Sequence, residues 1–561
     1  MSAGAMGTRV DPITTEIIRN AFISAAEEMN ATLIRSSYSP IIYEAQDCSV
    51  ALLDEGKRAL GQSAGLPIFL GNLEICIELT EERFGADVWA PGDVWILNDS
   101  YMTGTHLGDV TVFAPIHHQG QLVGFSASRA HWLDIGAKDL PAPTDSTDIY
   151  QEGIRLGPTK VMEHGRLRED IVDILRRNSR FPDLLLGDLN AQIAVARTGE
   201  RRLAAIIERY GVDVVRAARD QIFEQSEALD RAAVREIPDG VYVAEGCLDN
   251  DGVTDDPFWV RVRIEVDGDE MTVDLGDSSG PAVGAINCGE AQAVSACRVA
   301  FKRLVNPDRP VTGGTFVPLT VKVRKGSLLA AEEPAACQWY FSPLGLLIDL
   351  FTKALAPVMP EQVAAAHHGD SMVTYISGLR DRNGGLFVNV DCLVGGWGAW
   401  QGSDGESSLI NSVNGSIQDF PIEIVESRYP LRIKRYAIRT DSAGPGTWRG
   451  GCGTIREFEI ESDDVWISLW YERSKTPAWG LFGGQDGAPP VVDINPGTER
   501  ARRMLKVNRL ALAAGDTVVC QSGGGGGYGD PRERDRALVE RDIAERYVSA
   551  AEARRRYGYD G

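Results

Sequence analysis

His106, Asp109 and His131 are the residues whose types and spacing could do chemistry in this 561-residue sequence, because a hairpin between them would bring two imidazoles and a carboxylate together. Residues 110–116 and 121–130 are rich in β-branched and aromatic side chains and are separated by His117-His118-Gln119-Gly120, which predicts an antiparallel hairpin. With a loop at 118–119 or 117–120, Ile116 faces Gln121 and His106 faces His131, their Cβ atoms about 4.5–5.5 Å apart. A bulged three-residue loop at Gly120 would instead move the partner of His131 to Leu107. Asp109 follows His106 at a spacing that a regular strand would put on opposite faces, so the backbone must bend, and Gly104 and Gly108 permit it. The three side chains then form a two-histidine, one-carboxylate set with open positions for water or substrate, suited to Zn, Mn or Fe. The plain alternative is a turn cap at His106 and an interior histidine at 131. His367-His368-Gly369-Asp370 is read as no second metal site, because adjacent side chains on a strand point to opposite faces.

Residues 141–160 hold too much Pro, Thr, Asp and Gly for regular structure, and a long loop beside a site commonly carries function. Gln151, Glu152 and Asp134 are placed there to orient a ligand or move a proton, and equally to cap turns.

The elements that must position these groups read as α+β. Asp11-Pro12 opens an amphipathic helix to about Arg35, Phe69–Phe84 reads as a second helix, and 183–237 as two more parted at Gly211. After Pro238 the pattern turns to strands, 316–323 among them, with helices at 291–305 and 344–358. The division expected is a mixed α+β lobe at 1–237 carrying the hairpin, a β-rich lobe at 238–530 and a helical tail at 531–561. The glycine runs, Gly523–Gly527 above all, lack the Lys-Ser/Thr of a phosphate loop and the context of a dinucleotide site, so they are read as tight turns.

Composition narrows the class. A hydrophobic content of 43% with 24% charged residues is ordinary for a globular protein. The net charge of −23 argues against nucleic acid and anionic membrane as partners. The 9 cysteines are scattered without a C-x-x-C pair, and neither a signal segment nor a run of about 18 apolar residues is present, so the expectation is a cytoplasmic chain with reduced thiols.

Taken together, DPITTEIIRNAF, SYSPIIYEAQDCSVALLD, GTHLGDVT, AHWLDIG, QEG, GDLNAQIAVARTGERRL, PIEIVE, DSAGPGTWRGGCG and GGGGGYGDP resemble the hydantoinase B family over nearly the whole chain. That family takes in B-type subunits of ATP-dependent hydantoinases and lactamases, the corresponding half of 5-oxoprolinase, and subunits of acetone and acetophenone carboxylases. The resemblance implies a divalent metal, Zn or Mn, at Asp47, His106, Asp109 and His131, and it alone points to Asp47. It also implies an A-type ATPase partner that binds ATP and Mg, in a hetero-oligomer such as α2β2. The Asp-x-Gly-Gly-Thr phosphate loop expected of that partner is missing here: Gly104-Thr105 and Gly313-Gly314-Thr315 lack the preceding aspartate. By resemblance the partner phosphorylates the oxygen of a cyclic amide, a hydantoin, lactam or imide, and hydrolysis finishes on this chain with Glu152 or Asp134 carrying a proton. A ketone carboxylase subunit and a non-catalytic scaffold for the ATPase are the competing expectations.

Overall fold

Asp11 caps helix α1 (Pro12–Ser36), its carboxylate accepting from the Thr14 N–H at 3.0 Å, and Ile18, Phe22, Met29 and Leu33 bury the inner stripe of that helix. The computed structural model describes residues 9–560. The fold mixes α and β, as the sequence pattern predicts. Its first sheet has seven strands: β1 (Cys48–Asp54), β2 (Ala59–Gln62), β3 (Val94–Leu97), β4 (Asp109–His118), β5 (Gln121–His131), β6 (Thr159–Glu163) and β7 (Arg166–Leu167). They lie in the order β2-β1-β5-β4-β3-β6-β7, every pair antiparallel. One face packs on α1 and on two long helices, α2 (Pro182–Tyr210) and α3 (Val212–Arg235), which part at Gly211 with φ 82°. The other face packs on a helix at Leu73–Phe84. That helix starts later than the sequence pattern predicts, because Gly71-Asn72 separates it from a single turn at Pro67–Leu70. With both faces covered, β1 is buried along its whole length, which is why CSVALLD shows no alternation.

Two polar residues of α2 fix the end of the sheet that matters. Gln192 accepts from Trp132 Nε1 at 2.9 Å and donates to the Val110 carbonyl at 3.0 Å, tying β4 to the residue after β5. Asp188 accepts from the Tyr38 and Ser39 N–H groups at 2.8 and 3.0 Å and so sets the path of the chain toward Asp47.

In the second half, β8 (Gly240–Leu248), β9 (Phe258–Asp267) and β10 (Glu270–Asp274) run antiparallel, and β11 (Leu319–Lys322) joins β10 in parallel. The strand expected at 316–323 is thus shorter. Helices α4 (Glu290–Leu304) and α5 (Phe341–Leu355) share the largest apolar cluster with these strands. Two further sheets, of four and five strands, enclose a common core that includes Ile376, Ile467, Phe458 and Val518. The tail docks through Arg534, whose guanidinium meets Asp404 at 2.7 Å and Asp542 at 2.8 Å.

The glycine run corrects the turn reading. Gly523–Gly527 is an extended segment threaded between other backbones, with Gly444 donating to the Gly525 carbonyl and Gly526 to that of Ala366. A Cβ on Gly525 would lie 2.0 Å from the Trp397 oxygen and one on Gly526 2.0 Å from that of Trp479. Close approach of main chains, not a left-handed turn, requires glycine there.

Candidate metal centre

Gln119 and Gly120, with φ 50° and 80°, make a two-residue turn, so β4 and β5 reach His118 and Gln121. A bulge between Ile116 and His117 then shifts the ladder, and the residue opposite His131 is Asp109. Both registers expected from sequence, His106 or Leu107 facing His131, are therefore corrected. His106 reaches the pair from the turn before β4, where the Asp109 N–H donates to the His106 carbonyl at 3.1 Å. Gly104 takes the left-handed conformation that this path needs, with φ 84°. Gly108 serves a different end: a Cβ there would stand 2.8 Å from His131 Cε1.

His106 Nε2, His131 Nδ1 and Asp109 Oδ1 each lie 2.9 Å from the other two. They are the one group of at least three His, Cys, Asp or Glu side chains among the described residues placed to share an ion. His106 Nδ1 faces the Gln338 carbonyl at 3.0 Å, which can only accept, so the proton sits on Nδ1 and the Nε2 lone pair points inward. Tyr340 donates its hydroxyl to Asp109 Oδ2 at 2.8 Å, leaving Oδ1 for the cluster. Three lone-pair-bearing atoms this close need a positive charge at their centre, a proton or a metal ion. Adjacent ligands of an octahedral ion with bonds of about 2.1 Å stand about 3.0 Å apart, so the triangle fits two imidazoles and a carboxylate on one face of such an ion.

Charge follows the geometry. Burial lowers His106, but Asp109 outweighs it and the imidazole is raised above its ordinary range. Burial likewise raises Asp109, yet His106 and His131 hold it well below the usual carboxylate range.

Of the four positions that the resemblance implies, three meet in this triangle. Asp47 stands at the start of β1, its carbonyl accepting from the His131 N–H at 3.1 Å. It is not one of the atoms within 4.8 Å of each other. Its Oδ1 is buried without a hydrogen-bond partner, and burial, opposed by His131, pushes the carboxyl up to about 6. An orphaned carboxylate oxygen beside two histidines is what a fourth ligand looks like before its ion is bound.

The two expected proton carriers are engaged elsewhere. Asp134 binds Arg180 through Oδ1 at 2.7 Å and takes the Gly136, Arg180 and Ser179 donors, which fixes the loop after β5. Glu152 accepts from the Cys337 and Gln338 N–H groups at 3.0 Å and from Ser146 Oγ at 2.8 Å. It thereby holds the backbone whose carbonyl orients His106. Gln151 caps the same loop through Thr147 and Asp148. Sequence reasoning missed Gln338 and Tyr340; they lie more than 200 positions from the histidines, and CQWYFSP shows no spacing relation to them.

The family profile described as hydantoinase B/oxoprolinase matches residues 11–531. The chain belongs to the hydantoinase B/oxoprolinase family. A relative described as the B component of a D-/L-hydantoinase, from Pseudomonas sp. (strain NS671), is 33% identical over 98% of this chain and 95% of its own. The crystal structure of an ATP-dependent caprolactamase from Pseudomonas jessenii superposes with a TM-score of 0.91 at 30% identity, covering 98% of this chain and 97% of that one. A nucleotide-free acetone carboxylase shares the fold, with a TM-score of 0.88 at 19% identity over 98% and 79% of the two chains. As a hydantoinase B family member the chain carries its inward-facing triangle on the GTHLGDVT and AHWLDIG segments that drew the resemblance. No helix among its described residues is long and apolar enough to cross a membrane.

Proposed function

We propose that this chain is the metal-bearing subunit of an ATP-dependent hydrolase of cyclic amides. The carrying observation is the triangle of His106, Asp109 and His131, set in a fold that matches a caprolactamase from end to end. These three residues, with Asp47 as fourth, would hold a divalent ion such as Zn or Mn, which when bound supplies Lewis-acid chemistry by polarising a carbonyl and acidifying water. The chain's own part is orientation: Gln338 sets the tautomer of His106, Tyr340 turns Asp109 inward, and Glu152 fixes the 337–338 backbone. ATP and Mg belong to an ATPase partner in a hetero-oligomer, a reading supported by the hydantoinase relative, which is itself one subunit of a larger enzyme. The partner activates the amide oxygen by phosphorylation, and water then attacks that carbon on this chain.

The test is substrate-dependent ATP hydrolysis by this chain co-purified with its ATPase partner. Stimulation by hydantoins or lactams without bicarbonate, with a ring-opened product, supports the reading. Stimulation only by a ketone with bicarbonate would overturn it in favour of carboxylation.

A further inference from the structure

Away from the metal centre, His367 sits at the middle of a second array. Its Nδ1 lies 2.7 Å from Asp349 Oδ1 on α5, and its Nε2 lies 2.9 Å from Ser412 Oγ. The carboxylate can only accept, so the proton is on Nδ1 and the Nε2 lone pair faces the hydroxyl. Carboxylate, imidazole and hydroxyl joined in that order are the parts that turn serine into a nucleophile. All three side chains are buried, and such a chain could simply hold loops together. A cavity distinguishes this one.

Ser412 forms part of the wall of a cavity of about 450 Å³, within the range of about 300–1,000 Å³ that small ligands occupy. Leu70, Val299, Phe316 and Trp397 give the wall an apolar surface, and Arg303 stands in it with its guanidinium over the Trp397 ring at 5.5 Å. Arg303 Nη1 is buried and has no hydrogen-bond partner. A donor so placed, on the same wall as the hydroxyl, is the group that an oxygen gaining negative charge would need. Arg473 approaches Asp349 Oδ2 at 3.4 Å and, with Arg303, leaves an excess of positive charge around the array. The serine is also held: Asn411 Oδ1 accepts from the Val413 and Asn414 N–H groups at 2.9 and 3.1 Å, bracing the turn on either side of it.

We propose that Ser412, His367 and Asp349 form an acyl-transfer site, separate from the metal centre, for a small ester or amide with an apolar acyl group. Ser412 Oγ bonds to the carbonyl carbon while its proton passes to His367 Nε2, and Arg303 donates to the carbonyl oxygen as it becomes negative. The bond from carbon to the leaving oxygen or nitrogen then breaks as that proton is delivered to the leaving group. Water, giving a proton to the same imidazole nitrogen, next attacks the acyl-serine; the acid departs and the proton returns to Ser412 Oγ. Neither metal nor ATP enters these steps, so the site stands or falls independently of the proposed function.

The experiment treats the full chain with an alkyl fluorophosphonate and maps the adduct by peptide mass spectrometry, with p-nitrophenyl hexanoate as reporter of turnover. The expected result is an adduct at Ser412 and a burst of nitrophenol. Ser412→Ala should abolish both with an unchanged melting temperature, and Arg303→Gln should slow acylation by about tenfold or more. His367→Gln should slow labelling by at least about a hundredfold. A normally melting wild-type chain that gives no adduct at Ser412, or labelling that persists at full rate in folded His367→Gln, overturns the proposal.

Discussion

At the metal centre two imidazole nitrogens and a carboxylate oxygen face one another at 2.9 Å, whereas around His367 similar groups form a line in which each proton meets one acceptor. Both regions are buried and both draw on residues far apart in sequence, so burial and residue type do not separate them. What separates them is proton arithmetic. His106 spends its one neutral-state proton on the Gln338 carbonyl, so its inward nitrogen has none to offer Asp109 or His131. His367 spends its proton on Asp349 and still finds a donor, the Ser412 hydroxyl. The first array is complete only with an added cation; the second is complete as it stands. A histidine cluster is a metal centre when its lone pairs outnumber the protons that could lie between them.

The largest effect should break that contrast. His131→Ala is expected to remove the metal and to lower amide-dependent turnover with the partner by at least about a thousandfold, because the reaction would lose both its Lewis acid and its acidified water. His367→Gln should leave metal content unchanged. Elemental analysis of the two purified variants, alongside steady-state rates, reads both outcomes; equal metal loss in the two would erase the distinction.

How much of this was legible before the structure depends on distance along the chain. The Asp11 cap, the break at Gly211 and the hairpin are local patterns, and residues 104–131 carried enough of them to bring His106, Asp109 and His131 together. The register was not legible, since a one-residue bulge at Ile116/His117 leaves no mark in a run of β-branched residues yet decides which residue faces His131. Asp47 could be found only by resemblance, because it meets the site across the β1–β5 ladder. The roles of Glu152 and Asp134 were misjudged for a related reason: whether a buried carboxylate is free or spent depends on partners such as Arg180 and the Cys337 N–H, whose proximity no local pattern encodes.

An intermediate effect should sharpen the picture of the ligand triangle. Tyr340→Phe leaves Asp109 Oδ2 without its donor and frees the carboxylate to turn, so metal affinity measured by competition with a chelator should fall about 10–100-fold. An unchanged affinity would mean that Tyr340 merely fills space.

The smallest effect concerns the support behind the site. Burial pushes Glu152 up to about 7 against the donors that lower it, so its folded value exceeds that of the unfolded chain. The sign follows: the protonated carboxyl favours the folded state, this contribution is full below about 4.5, and it is lost as pH rises toward about 7. The difference corresponds to on the order of 3 kcal/mol. Glu152→Gln, neutral throughout, should flatten the pH dependence of the melting temperature of the metal-free chain between those values. A parallel profile in wild type and variant would show that Glu152 stays ionised in the folded chain.

The most direct test of the central claim is the divalent metal content of the wild-type chain, purified with its partner and dialysed against a weak chelator, measured together with amide-dependent ATP hydrolysis. The account predicts about one ion per chain and activity that falls in proportion as a stronger chelator removes it. A metal-free chain that supports full activity would contradict it, and would leave His106, Asp109 and His131 as structural residues in a scaffold for the ATPase.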